Sequence, residues 1–128
     1  MILEMQILTA VSEYLNQRCK PFSSITTGGI SSEGISAEIA PGYAKSVYLD
    51  GGVFQRMPVL LLVRNKNHRI TMETAFTLSN AVRKAAKTSK NIHESIAGIS
   101  MGTGPEFVQK NGADFIYSLI FNIDYMAK

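Results

Sequence analysis

The chain has 128 residues, 45% of them hydrophobic and 18% charged, with a formal net charge of +3. That length fits one domain, spanning the whole chain, with a core of its own; the weak positive excess forms no basic stripe of the kind nucleic acid requires. A single cysteine, Cys19, excludes an internal disulfide, and no apolar run is long enough to cross a bilayer.

The start, Met1-Ile2-Leu3-Glu4, lacks the basic region and apolar core of a secretory leader, so none is expected. From Ile2 to Gln17, Leu3, Ile7, Val11 and Tyr14, with Leu8 and Leu15 beside them, recur at three- and four-residue steps. The spacing predicts an amphipathic helix that stops before Pro21. Phe22 to Gly34 is rich in Ser, Thr and Gly and reads as a loop, or as a weak edge strand from Ser24 to Thr27. Ile35, Ala37 and Ile39 alternate with Ser36 and Glu38, a short half-buried strand that Pro41-Gly42 breaks. Ala44 to Leu49 gives another short strand, and Asp50-Gly51-Gly52 a turn. Val53 to Arg64 is a long apolar strand with Val59, Leu61 and Val63 on one face and Leu60 and Leu62 on the other. Such a strand is covered on both faces, or lies beneath a helix and against a neighbour. Pro58 has no N–H for a ladder and marks the beginning of the strand, a bulge or an edge.

A second helix is predicted over Thr71 to Lys87, with Thr71 as N-cap and Glu73 in the first turn. Its inward face is read as Met72, Ala75, Phe76, Ser79, Val82 and Ala86. The basic exit, Arg83 to Lys90, complements the negative end of the helix dipole. Ile96 to Met101 is a short strand, Gly102-Thr103-Gly104-Pro105 a turn, and a terminal β-hairpin follows. In its second arm Phe115, Tyr117, Leu119, Phe121, Ile123 and Tyr125 alternate with Ile116, Ser118, Ile120, Asn122 and Asp124. Phe115 to Tyr125 would span roughly 37 Å, so this strand organises a whole sheet or projects beyond its own subunit. The order of elements predicts an α+β fold: a mainly antiparallel sheet, two helices packed on one face, and a long C-terminal hairpin. The opposite face, with Ile116 and Ile120 among Ser118, Asn122 and Asp124, suits water or a polar protein interface.

Little in the sequence carries chemistry. His68 and His93 sit in separate polar segments with no neighbouring ligand, which reads as two solvated or locally hydrogen-bonded histidines. Cys19 has no nucleophile motif around it and reads as a half-buried small side chain. Gly102-x-Gly104 precedes a proline and a strand, where a phosphate cradle needs a helix. Asp114 and Asp124 share a face but lie too far apart to act on one bond. The aromatic stripe of Phe115, Tyr117, Phe121 and Tyr125 is read as core; no Arg or Lys interleaves it as in a base-stacking sheet. No catalytic, cofactor-binding or metal-binding residue is assigned, and the chain is expected not to be an enzyme. The basic run Arg64 to Arg69 is expected to be solvated loop and helix-end charge.

The segment Pro105-Glu106-Phe107-Val108, then Asn111-Gly112, Ile116-Tyr117-Ser118 and Phe121-Asn122-Ile123-Asp124-Tyr125, resembles the C-terminal hairpin of minor capsid proteins of tailed bacteriophages. The N-terminal helix, the strand Met57 to Val63 and the helix Thr71 to Lys87 occur in that family's order; Phe22 to Gly34 is the least similar part. The resemblance implies a virion component of a phage or prophage, at the head–tail junction. It is similar to tail terminator (tail completion) proteins of long-tailed phages. Those are α+β chains that form hexameric rings, cap the finished tail tube and dock to the head connector. Implied partners are further copies of the chain, a tail tube protein and head connector proteins, with assembly in the bacterial host cytoplasm. Neither membrane nor direct nucleic-acid contact is expected. In such a ring Phe22 to Gly34 and Asp50-Gly51-Gly52 are expected to order on docking. The alternatives are a head-closure (stopper) or other minor head protein and, from another class, a small α+β binding module for nucleic acid or a metabolite. An aromatic sheet face open to solvent would favour that last reading.

Overall fold

A computed structural model describes residues 2–19, 21–27, 33–40, 44–47, 53–112 and 114–127. Along the chain they form α1 (Leu3–Cys19), β1 (Ile25–Thr27), β2 (Gly34–Ile39), β3 (Ala44–Val47), β4 (Val53–Asn65), α2 (His68–Ala85), α3 (Ser89–Ile92), β5 (Ile96–Asn111) and β6 (Asp114–Ala127). Pro41-Gly42, residues 28–32 of the Ser/Thr/Gly-rich segment and the turn at Asp50-Gly51-Gly52 lie outside the described residues.

The strands make one sheet in the order β1-β2-β4-β6-β5, with β3 pairing β4 beyond the end of β2. Only β1 with β2 is parallel; the other described pairs are antiparallel. The expected α+β class is therefore observed. Of the two roles open to the long last strand, the structure takes the first. β6 lies between β4 and β5 and pairs with β4 without interruption from Val53↔Ala127 to Asn65↔Phe115. It organises the sheet from within.

Two strand readings need correction. Gly102-Thr103-Gly104-Pro105 is not a turn: β5 runs through it for 16 residues. The ladder absorbs the glycines and proline by register shifts between Ile96 and Gly98, Met101 and Thr103, Thr103 and Glu106, and Phe107 and Gln109. A border strand tolerates this, because bulged residues and a proline there leave no inner partner unpaired. Pro58 is neither at an edge nor at the start of its strand. Its carbonyl accepts from the Ala40 N–H at 2.8 Å, so its missing N–H points the same way, toward β2 and β3. There the partner of β4 changes from β3, opposite residues 53–56, to β2, opposite 59–64. The proline sits at that gap and costs the β6 ladder nothing.

All three helices lie against one sheet face. The core joins Ile7, Leu8, Val11 and Leu15 of α1 and Ala75, Leu78, Val82 and Ala85 of α2 to the strands. From the strands come Ile35, Met57, Val59, Leu61, Val63, Leu119, Phe121, Ile123 and Tyr125, all almost fully buried. Burying one such side chain contributes about 1.5–3 kcal/mol before entropy is counted. α2 begins three residues before the expected cap. Asn67, not Thr71, accepts the Ile70 N–H at 3.1 Å, and the Thr71 hydroxyl donates instead to the Asn67 carbonyl at 2.8 Å. The inward face of α2 is also turned from the expected one. Thr71, Ala75, Leu78, Ser79, Val82 and Ala85 are buried, whereas Met72 and Phe76 are 38% and 50% exposed. α1 is the physical reason. It packs on one flank of α2 and rotates the apolar stripe toward Leu78 and Ala85, which leaves the opposite flank open.

Candidate assembly surfaces

Register fixes what the other sheet face presents. Residues directly opposite across an antiparallel pair project to the same side. The pairs Leu60↔Ile120, Leu62↔Ser118 and Arg64↔Ile116 therefore lie together on the face away from the helices. Glu38 stands opposite Leu60, and Glu106 opposite Ser118, extending the same rows outward. Leu60, Leu62, Ile116 and Ile120 are half-buried, and no described helix covers them. The result is a small apolar centre flanked by polar and charged groups, with buried Pro58 and Ser36 beside it, a mixture suited to a protein interface.

Two ion pairs lie on this face. Arg56 grips Asp124 with both arms of its guanidinium, Nε to Oδ1 at 2.8 Å and Nη2 to Oδ2 at 3.1 Å. Arg64 Nε meets Asp114 Oδ2 at 2.7 Å, with the side chains only 17% and 12% exposed. The other carboxylate oxygen, Asp114 Oδ1, is buried without a hydrogen-bond partner, so Asp114 leans on Arg64 alone for its charge. Glu38 and Glu106 pair with no cation among the described residues.

At the sheet end nearest the hairpin tip, His68 gathers an aromatic cluster. Its ring is stacked on Phe115, centroids 4.6 Å apart and planes within 8°. Its Nε2 lies 2.7 Å from the Tyr117 hydroxyl, and Phe107 closes on Tyr117 edge-on at 5.6 Å. The cluster pins the start of α2 to β5 and β6. Deeper in, the Tyr125 hydroxyl lies 2.6 Å from both Glu4 Oε2 and Gln55 Oε1. One hydroxyl has one proton to donate, so it donates to the carboxylate and receives the Gln55 amide, whose oxygen and nitrogen are interchangeable by a flip. That contact ties α1 to β4 and β6.

The chemically suggestive residues are each occupied locally. His93 Nδ1 accepts the Ser95 N–H at 3.1 Å. The Cys19 sulfur lies 4.0 Å from the Thr77 carbonyl oxygen, and burial pushes its thiol above the usual range, the wrong direction for a nucleophile. Cys19 lines a groove of about 430 Å³ between α1 and α2, together with Tyr14, Arg18, Thr77, Asn80, Ala81 and Lys84. Among the described residues no three His, Cys, Asp or Glu side chains converge as metal ligands do. The run Arg64 to Arg69 is partly neutralised within the chain, Arg64 by Asp114 and Arg69 by Glu73 at 2.9 Å. The aromatic stripe of β6 is core, as expected: Tyr117, Phe121 and Tyr125 are buried under the helices and Phe115 is half-buried. The feature that would favour a base-stacking module is thus on the covered side.

No protein-family model matches the chain, and no curated protein does. A solved structure does share its fold. A chain in the virion of a native gene transfer agent particle superposes with a TM-score of 0.53 at 10% identity, over 94% of this chain and 98% of that one.

Proposed function

We propose that this chain is a structural, non-enzymatic virion protein of a tailed phage or prophage. In this reading it acts at the head–tail junction, capping the tail tube and joining it to the head connector as a ring of identical copies. The observation that carries the reading is the likeness to a chain of a gene transfer agent virion, which extends over almost the full length of both chains. The open sheet face adds physical support, since an apolar centre flanked by charges is a surface made to be covered. A stopper or another minor head protein would also act through interfaces between subunits. Immunogold labelling of purified particles tests the proposed position. Label concentrated at the neck between head and tail is the expected result. Label spread over the capsid, at the distal tail tip, or absent from particles would reject the reading.

A further inference from the structure

The sheet is covered once by its own helices, and the two sides of the subunit are chemically matched. On the open side, Leu60, Leu62, Ile116 and Ile120 form the apolar centre, flanked by Glu38 and Glu106. On the helix side of the molecule, α2 presents Met72 and Phe76 to solvent at a spacing of four, and Arg83 is exposed further along that flank, with Lys84 exposed beside the groove that α2 makes with α1. Arg83 and Lys84 pair with no carboxylate among the described residues, just as Glu38 and Glu106 pair with no cation.

We propose that α2 of one copy of this chain lies on the open sheet face of the next. Phe76 and Met72 then pack against Leu60, Leu62 and Ile120, while Arg83 and Lys84 bring positive charge to a face whose two borders carry Glu38 and Glu106. This rests on the reading of the chain as a ring-forming virion protein and specifies which surfaces make the ring. The contact is heterologous: each copy contributes one face of each kind, so copies add head to tail until rotation closes the circle. The isologous alternative, sheet face on sheet face, would bring Glu38 and Glu106 of both copies together while the cations on that face among the described residues, Arg56 and Arg64, are already bound to Asp124 and Asp114. The helix supplies the missing positive charge and the apolar knobs at once. Each sheet then has helices on both faces, its own on one and its neighbour's on the other.

Two complementary lesions test the pairing in the full-length chain. Ile120→Arg spoils the sheet face and Phe76→Asp spoils the helix face; each is expected to weaken self-association by about thirtyfold or more in sedimentation equilibrium. Mixed one to one, each copy still offers one intact face, so the pair is expected to form dimers that grow no further. Circular dichroism checks that both variants fold. Should Ile120→Arg fail that check, the surface reversal Glu38→Lys with Glu106→Lys replaces it. That reversal is expected to weaken association, and Arg83→Glu with Lys84→Glu in the same chain to restore it. Wild type that forms rings while Phe76→Asp forms them equally well overturns the pairing and leaves the ring reading standing. Loss of assembly from sheet-face changes alone points to sheet-on-sheet contact or to a different virion protein on that face, and equally overturns it. Wild type that stays monomeric at every concentration, with and without isolated tails, overturns both.

Discussion

The two faces of β4 and β6 carry the same kinds of side chain to different ends. Toward the helices, Leu61, Val63, Leu119 and Ile123 are completely buried and interlock with α1 and α2. Away from them, Leu60, Leu62, Ile116 and Ile120 are half-buried among Arg56, Arg64, Ser118, Asn122 and Asp124, with Pro58 and Met126 on the same face. The first face is packed like a solid, where each methyl group has many neighbours. The second has apolar area without depth. Apolar residues on the first face contribute to the fold, and those on the second are, in the pairing proposed above, held for a neighbouring copy. Stability and assembly should therefore respond to different substitutions, although the residues alternate along the same strands.

The sharpest test of that division is Leu119→Ala against Leu62→Ser. Leu119→Ala opens a cavity in the closed face and is expected to cost about 2–5 kcal/mol in chemical denaturation. Leu62→Ser should stay within about 1 kcal/mol of wild type in folding stability, because a half-buried site loses little transfer energy. Equal losses at the two positions would abolish the distinction. A middle-sized effect separates the two ion pairs. Arg64→Ala strands a nearly buried Asp114 carboxylate and is expected to cost about 2–3 kcal/mol, whereas Arg56→Ala, at an exposed pair, should cost about 0.5 kcal/mol. Thermal melts of the two variants side by side would read this. Tyr125→Phe, which removes one buried hydroxyl between Glu4 and Gln55, should fall between the two ion-pair losses in the same melts, at about 1 kcal/mol.

How much of this was legible in the sequence depended on whether the signal was local. The alternation in β6 predicts that strand and its inward face, and the apolar run of β4 predicts the strand and the division of its side chains between two faces, because a period of two needs no knowledge of neighbours. Helix α1 is read correctly for a similar reason. The face of α2 is misread because its large residues, Met72 and Phe76, are the exposed ones, while the buried series includes Thr71, Ala75 and Ala85. Small side chains are buried there because α1 and the sheet approach closely, and spacing alone does not reveal a neighbour. The series 71, 75, 78, 82, 85 was the available signal. Gly102 to Pro105 looks like a turn for the same reason that it makes bulges: those residues depart from regular pairing either way. The parallel pairing of β1 with β2 and the gathering of Phe107, Phe115 and Tyr117 around His68 depend on distant chain segments meeting, which no local pattern reports.

The irregular border strand has an effect beyond the single molecule. Among the described residues β5 pairs with β6 alone, and its four interruptions leave no evenly paired stretch longer than Gly98 to Met101. A straight border of that length would be a template onto which other chains could zip their main-chain amides, and copies crowded at one spot would grow into fibrils. The kinks deny that route at this border, so copies meeting here would recognise one another through side chains, where charge and shape can limit how many join.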